Sequence, residues 1–319
     1  MTWAFALLIA KLIAGVAVYG AYRRDLHRAR ASSLAGSRML DTARGPIEYA
    51  TLGEGLPVLV LHGTSGGWDQ GLFSARGLAA YGFKLIAPSR FGYLRTPLPA
   101  NASAEAEADT WASFLDALHI GRLPVVAFSA GAAPAVQLAL RHPERVSALA
   151  LIVPGAGGLC SERAVAPPAA LLNLLFRFDF LIWAIMRVAP RVMYRLVAVP
   201  ASLVPSLPPE EKARLDEAIR MILPVSSRRR GVLNEARTQR ARRHQYPLER
   251  ITTPTLLASA ADDLYKTLPV ARHAASRIPD ARLMEFASGG HLMLGRAGEL
   301  LPRVATFFTP APAARHTAA

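Results

Sequence analysis

Short apolar runs alternate with longer amphipathic segments along most of this chain. Seven runs are strand candidates, and most of them are nearly continuous in apolar residues, as strands buried on both faces are. They cover residues 47–52, 57–62, 84–87, 124–128, 148–153, 255–260 and 281–286. Helix-like segments lie between them at residues 72–81, 104–118 and 130–141, and Ser103 is the predicted N-cap of the second. The alternation predicts an α/β fold with a mostly parallel central sheet flanked by helices.

The alternation stops between residues 155 and 250, where prolines separate short apolar helical pieces. We therefore predict a helical insertion there, outside the sheet. Its apolar stretch at residues 171–188 contains Arg177, Asp179 and Arg187, so a second transmembrane span is not expected. The rest divides into an N-terminal membrane anchor with a basic flank (1–31), a polar linker (32–44), two core parts (45–154 and 251–308) and a disordered tail (309–319).

The first segment is typical of a membrane helix. Residues 3–22 are apolar apart from Lys11, and at a rise of 1.5 Å per residue they would span about 30 Å, one hydrocarbon core. No Lys or Arg precedes this stretch, whereas Arg23, Arg24, Arg28 and Arg30 follow it. The positive-inside rule then places the rest of the chain in the cytoplasm. A cleaved signal peptide and a helix lying in the interface are the alternatives.

Composition and charge narrow the classes of protein. With 52% hydrophobic and 19% charged residues, the chain is not a disordered or fibrous protein. Its single cysteine, Cys160, excludes an internal disulfide and a cysteine zinc cluster, and no His, Asp or Glu residues have metal-ligand spacing. We expect neither metal nor cofactor.

The net charge of +14 favours an anionic partner. No nucleic-acid motif is present, so membrane lipid is the expected partner and nucleic acid is not. A basic run fits either a solvated helix face or a surface turned toward the membrane; it comprises Arg228, Arg229, Arg230, Arg237, Arg240, Arg242 and Arg243.

The segment Ala127-Phe128-Ser129-Ala130-Gly131 follows a predicted strand and precedes a predicted helix. This is the context of a nucleophile elbow, in which small residues flank a serine on a tight turn. Ala127 stands where the pattern usually has glycine, so the motif is degenerate, and a plain strand-to-helix turn is the alternative interpretation.

A second segment, Leu61-His62-Gly63-Thr64, ends another predicted strand and runs into a glycine-rich loop. Backbone N–H groups in such a loop can bind an oxyanion together with the N–H after the nucleophile. This assigns Thr64 and Ala130, with Ser65 as the second choice for the first. His62 precedes the serine, in the wrong order for a triad of this type, and we interpret it as a structural residue that fixes the loop.

Two further segments supply a carboxylate and a histidine. Asp262 and Asp263 follow an apolar strand, and the spacing favours Asp263 as the residue that orients a histidine, with Asp262 as a turn residue. His291 comes directly after Ser288-Gly289-Gly290 and just past the last strand. Imidazole can accept and return the proton of a serine near neutral pH. Ser129, Asp263 and His291 follow one another in the chain order of a catalytic triad of this type, each after a predicted strand. Such an order rarely arises by chance.

These motifs resemble those of the α/β-hydrolase superfamily, over residues 45–308 apart from the insertion. The resemblance implies that Ser129 is the nucleophile, His291 the general base and acid, and Asp263 the orienting carboxylate. It also implies that the insertion is a cap over the active site. One segment departs from the family: Pro88-Ser89-Arg90-Phe91-Gly92 has serine where a structural aspartate is common. This departure puts the hydrogen bonds of that loop in doubt more than the catalysis.

The predicted activity is hydrolysis of a carboxylic ester through an acyl-enzyme intermediate. Ser129 argues against the epoxide hydrolases and haloalkane dehalogenases of this fold, which need aspartate at the elbow. Thioesterase, amidase, C–C bond hydrolase and cofactor-free haloperoxidase activities use the same triad and remain alternatives, and a non-catalytic, membrane-tethered binding protein is the alternative of another class. The insertion is rich in aromatic residues, namely Phe176, Phe178, Phe180, Trp183 and Tyr194. They suggest a substrate with an apolar acyl or alcohol group. The alternative is that they pack the core of the insertion itself.

Overall fold

A computed structural model describes residues 2–160, 169–241 and 245–309. Beyond Thr309 the predicted tail lies outside these residues, as do Arg242 and Arg243 of the predicted basic run. The strands are β1 (Arg38–Thr42), β2 (Gly45–Leu52), β3 (Leu56–Leu61), β4 (Phe83–Pro88), β5 (Leu123–Phe128), β6 (Val146–Ile152), β7 (Thr255–Ala260) and β8 (Ala281–Phe286). The helices are α1 (Thr2–Leu34), α2 (Trp68–Ala75), α3 (Ala104–Ala117), α4 (Ala132–Arg141), α5 (Ala169–Leu175), α6 (Asp179–Val188), α7 (Pro190–Leu196), α8 (Pro209–Arg220), α9 (Arg229–Ala241), α10 (Thr267–Arg277) and α11 (Ala297–Phe308).

The strands form one sheet in the order β1-β2-β4-β3-β5-β6-β7-β8. The pairs β1–β2 and β2–β4 are antiparallel, and every later pair, from β4–β3 to β7–β8, is parallel. All seven predicted strands are confirmed to within a few residues. The predicted linker at residues 32–44 is wrong, because α1 continues to Leu34 and β1 pairs with β2 at the edge of the sheet. All five residues of β1 are exposed or half-buried, as suits a strand at the edge of a sheet.

Helices cover both faces of the sheet. On one face α3, α4 and α10 pack through a core that contains Trp111 and Phe114. On the other face α2, the 3-10 turn Arg76–Tyr81 and α11 pack through Leu78 and Phe308. The N-cap predicted for α3 is confirmed, since the Ser103 hydroxyl accepts a hydrogen bond from the Ala106 N–H at 3.2 Å. The carboxyl ends of the parallel strands therefore meet at one edge between two helical layers, where sites form in such sheets.

The insertion between β6 and β7 contributes α5 to α9 and has a core of its own. Trp183 and Tyr194 are buried in that core, so these two aromatic residues pack the insertion itself. Phe178 and Phe180, in contrast, are exposed. The apolar stretch predicted as one piece at residues 171–188 is divided between α5 and α6.

The N-terminal helix α1 lies outside the sheet and its two helical layers. It is exposed from Trp3 to Tyr19, and within the described part of the chain it is the one helix long and apolar enough to cross a membrane. Its last turns contact the rest of the protein: Leu26 is buried, and the Trp68 indole N–H donates to the Ser33 carbonyl at 3.2 Å. These contacts fix the end of α1 against the folded domain.

Candidate active site

Ser129 lies on a strained turn at the carboxyl end of β5. Its φ is +51°, in the left-handed region that non-glycine residues rarely adopt, and the 3-10 turn Ser129–Gly131 leads directly into α4. A Cβ at Gly131 would lie 2.6 Å from the Leu61 carbonyl oxygen and 2.7 Å from that of His62. Glycine is therefore required at the last position of the motif. At the first position, Ala127 pairs with Leu61 and Leu151 within the sheet, so alanine there is compatible with a regular strand end.

The loop after β3 packs directly against this turn. A Cβ at Gly63 would lie 3.0 Å from the Ser129 Cβ, so the backbone that leads to Thr64 approaches the serine closely. On the other side, the Gly155 N–H donates to the Ser129 carbonyl at 3.0 Å. Ser129, Ala130 and the Thr64 segment thus belong to one cluster at the carboxyl edge of the sheet.

His62 fixes this loop, in the structural role predicted for it. Its Nε2 accepts the Arg90 N–H at 2.9 Å, so its Nδ1 carries the proton and donates to the Gly63 carbonyl at 2.7 Å. Burial, followed by the nearby Arg90 charge, holds the pKa of His62 well below its usual value. A neutral imidazole with a fixed tautomer results.

Asp263 and His291 form a hydrogen-bonded pair, with 2.8 Å between Oδ2 and Nδ1. Asp263 is fully buried, and it also accepts bonds from the Tyr265 N–H at 2.8 Å and from the Thr267 hydroxyl. Asp262 accepts the N–H groups of Gly289 and Gly290 at 3.3 and 2.8 Å. Asp263 therefore contacts the imidazole, while Asp262 holds the glycine loop that carries His291.

The structure does not bring every predicted site residue into direct contact. Among the described residues no hydrogen bond joins Ser129 to His291, although both lie at the same edge of the sheet. Hydrogen bonds of a catalytic site are often long before a substrate is bound. No group of three or more His, Cys, Asp or Glu side chains in the described ranges could hold a metal ion.

The insertion also contacts the histidine loop. The Ala198 carbonyl accepts the N–H groups of His291 and Leu264 at 3.3 and 3.4 Å. The Tyr265 ring lies edge-on to the His291 ring at 4.8 Å, and its hydroxyl donates to the Leu196 carbonyl at 2.5 Å. This contact leaves no local signal in the sequence, because it joins segments about 70 residues apart.

A buried cluster of charges beside the site was also missed. The Arg90 guanidinium donates to Glu107 Oε1 at 2.8 Å and to Glu235 Oε1 at 2.6 Å, and all three side chains are less than a tenth exposed. The other oxygen of Glu235 accepts the Thr64 hydroxyl at 2.7 Å. Helix α9 of the insertion is thereby tied to the loop predicted to bind the oxyanion. Burial raises the pKa of Glu107, against the opposing effect of Arg90.

This cluster lines a narrow cleft that reaches Ala130 and Gly155. Its free volume of about 30 Å³ suits one small group. Asn234 contributes a buried Oδ1 without a hydrogen-bond partner in the described structure, while its amide nitrogen donates to the Ala102 carbonyl at 2.9 Å. The cleft therefore offers hydrogen-bond acceptors.

The loop with serine in place of the common aspartate keeps its hydrogen bonds by another route. The Ser89 hydroxyl accepts the Trp68 N–H at 3.1 Å and donates to Glu48 Oε2 at 3.0 Å. Glu48, fully buried on β2, also accepts the Arg95 N–H at 3.0 Å. A carboxylate from a neighbouring strand thus takes the place of the missing one, and the doubt raised by the sequence is resolved.

Comparison with known proteins is consistent with this geometry. A family model described as alpha/beta hydrolase fold matches residues 57–295. The uncharacterized hydrolase YcgS of Bacillus subtilis is 30% identical over 78% of this chain and 89% of its own length. A 2-hydroxy-6-oxononadienedioate/2-hydroxy-6-oxononatrienedioate hydrolase of Cupriavidus pinatubonensis is 28% identical over 73% of this chain and 80% of its own. Among solved structures, Est816, an N-acyl homoserine lactone degrading enzyme, superimposes with a TM-score of 0.63 at 26% identity, covering 85% of this chain and 100% of its own.

Proposed function

Because the chain belongs to the alpha/beta hydrolase fold family, we propose that it is a serine hydrolase that cleaves carboxylic esters with an apolar acyl or alcohol group. The observation that carries the proposal is the Asp263–His291 pair, at 2.8 Å, at the same edge of the sheet as a serine held at φ +51°. A serine on a strained turn and an imidazole oriented by a carboxylate are the groups that nucleophilic catalysis requires.

In the proposed mechanism, Ser129 Oγ attacks the ester carbonyl while His291 Nε2 takes its proton. Asp263 holds the Nδ1 proton of His291 and stabilises the imidazolium that forms. The N–H groups of Thr64 and Ala130 bind the oxyanion. His291 then gives its proton to the leaving alcohol and activates water to release the acid. Since no hydrogen bond joins Ser129 to His291 in the described structure, we propose that substrate closes this gap.

The charge of the cleft favours a neutral ester over a dicarboxylate. Glu107 and Glu235 share one guanidinium, so the cluster carries one net negative charge when both are ionised. A doubly ionised substrate such as an oxo-nonadienedioate would be repelled there. The unpartnered Oδ1 of Asn234 would instead accept a bond from a hydroxyl or amide N–H of the substrate. The lactone-degrading activity in the name of Est816 supports the same choice, because a lactone is a cyclic ester.

We also propose that the insertion, residues 155–250, acts as a cap over this site. Contacts from α9 to Thr64 and from the end of α7 to the His291 loop support this role. Helix α1 would anchor the protein in a membrane with the hydrolase domain on the cytoplasmic side. Its exposed apolar surface and the arginines that follow it support the anchor.

The test is to treat the purified full-length protein with a fluorophosphonate probe and a series of p-nitrophenyl esters of increasing acyl length. Ser129→Ala should abolish labelling and lower kcat by about 10⁴- to 10⁶-fold. Ser113→Ala, on α3 and away from the site, is the matched control and should behave as wild type. Labelling that survives in Ser129→Ala would refute the assignment. Labelling of wild type without ester turnover would redirect the search to thioesters, amides or C–C bonds.

A further inference from the structure

The insertion presents an apolar surface that is largely exposed in the described structure. We call it the α6–α7 face, and its exposed residues are Phe178, Phe180, Leu181, Val188, Val192 and Leu196. Val188 is 81% exposed, the highest value among the large apolar residues outside α1. Val192 and Leu196 are four residues apart on α7 and share one side of that helix, and Val188 ends α6 just before the non-helical Ala189. Contiguous exposed apolar side chains mark a site of contact with a protein or a membrane.

Contacts with α1 set the position of this face relative to the proposed anchor. The apolar stretch ends at Tyr22, after about 30 Å of helix, which is the thickness of a hydrocarbon core. The Tyr22 ring lies 5.1 Å from the Phe180 ring and 5.5 Å from the Trp183 ring. The Trp183 indole N–H donates to Asp25 at 3.0 Å. Helix α6 thus meets α1 where an anchor would leave the bilayer, at the depth that Tyr and Trp prefer.

Charged residues around the face match an anionic lipid surface. Arg177, Arg191 and Arg195 are exposed on the same two helices or next to them, and Arg23 and Arg24 are exposed on α1 beside the contact. Arg187 is exposed as well, but it is paired with Asp25 of α1. Apolar side chains bordered by arginines are typical of helices that lie in the headgroup region of a membrane. A second protein chain would gain nothing from this ring of like charge unless it were itself acidic.

We infer that the α6–α7 face docks into the headgroup region of the same anionic bilayer that holds α1. This inference rests on the proposed anchor but not on the proposed chemistry. The docked face would end beside the active site, because Leu196 and Ala198 accept the hydrogen bonds of Tyr265 and His291. An ester dissolved in the membrane would then reach the His291 side of the site without crossing bulk water.

The experiment is a depth measurement on the full chain in vesicles of phosphatidylcholine and phosphatidylglycerol. In a Cys160→Ser background, single cysteines at Val188, Glu144 and Ile13 are labelled with an environment-sensitive fluorophore. Lipids that carry a nitroxide near the headgroup or deep in the acyl chain then quench the label. Glu144 is the aqueous control, since it is exposed and precedes β6, at the edge of the sheet opposite the insertion. Ile13 reports the anchor, and circular dichroism and thermal unfolding confirm that each variant is folded.

The shallow nitroxide should quench the label at position 188 at least about twofold more than the label at position 144. Quenching at position 188 should weaken when phosphatidylglycerol is omitted from the vesicles. Quenching at 13 without quenching at 188 overturns the docking and leaves the anchor intact. Quenching at neither position overturns both. A label at 188 that is shielded from water but not quenched by lipid indicates contact with protein, a second copy included, and also overturns the inference. Each outcome is independent of ester hydrolysis, which the fluorophosphonate experiment tests.

Discussion

Replacing Arg90 with methionine would leave two buried carboxylates without their shared partner. The guanidinium donates to Glu107 at 2.8 and 3.2 Å, to Glu235 at 2.6 Å and to the His62 carbonyl at 3.3 Å. Methionine fills a similar volume but satisfies none of these acceptors. Removing one partner of a buried ion pair costs about 3–5 kcal/mol, because the remaining charge stays out of water. At roughly 2 °C per kcal/mol for a domain of this size, Tm should fall by about 6–10 °C.

The size of this loss should depend on pH. Without the guanidinium, the pKa of Glu107, already raised by burial, rises further in the folded protein than in the unfolded chain. A carboxyl whose pKa is raised on folding stabilises the fold at low pH, and that contribution is lost as the pH rises through the folded value. The difference in Tm between Arg90→Met and wild type should therefore be larger at pH 8 than at pH 5.

Thermal unfolding of the full chain in detergent micelles, followed by circular dichroism, measures both effects. A second variant, Arg90→Met with Glu107→Gln and Glu235→Gln, removes every charge of the cluster and should recover more than half of the lost Tm. Arg272→Met is the surface control, because its ion pair with Glu285 is exposed and should contribute little. A loss in Arg90→Met that is no larger than in this control, or one that the triple variant does not relieve, would refute the reasoning.

Three further predictions concern the site. Gly131→Ala should lower Tm and abolish fluorophosphonate labelling, because the new Cβ would lie 2.7 Å from the His62 carbonyl oxygen. Gly298→Ala is the control: the space around Gly298 is open, so neither Tm nor labelling should change. Asp263→Asn should lower kcat for p-nitrophenyl esters by about 10⁴-fold, whereas Asp262→Asn, which keeps an acceptor oxygen for the glycine loop, should lower it by less than about tenfold; similar losses in both would contradict the assignment. The pKa of His62 is held well below 6.5, so the stability that its neutral form contributes is present above pH 6.5 and lost below it. His62→Gln should remove this part of the pH dependence of the free energy of unfolding between pH 6.5 and 5, up to about 1.4 kcal/mol per pH unit. Denaturant unfolding at these pH values measures it, and an unchanged slope would show that His62 titrates normally.

The basic run predicted in the insertion contributes less surface charge than the sequence indicates. Arg228 is fully buried, and its guanidinium binds Asp69 at 2.6 Å and the Gly66 carbonyl at 2.6 Å. Arg229 donates to Asn173 at 2.8 Å. Part of the predicted basic run therefore holds the insertion to the core, and the anionic surface is met by arginines of α6, α7 and α1 instead.

Some of this arrangement was fixed by local sequence. Continuous apolar runs predicted seven strands, because a strand buried on both faces needs apolar residues throughout. The tight turn around Ser129 was readable because small residues flank the serine, and the structure leaves no room for a side chain at Gly131. The choice of Asp263 over Asp262 also followed from spacing along one strand end, and the structure places Asp263 against the imidazole.

Other features were decided only by the tertiary structure. Position 89 has serine in place of the common aspartate, and Glu48, on a different strand, supplies the carboxylate instead. Glu235 binds Arg90 although 145 residues of chain separate them. No local pattern marks such partners, because a buried charge is stabilised by whatever group the fold brings near it. Patterning along the chain thus determined the elements and the order of the reactive residues. The packing of the insertion against the sheet determined which charges meet, which apolar side chains stay exposed and how the histidine loop is held.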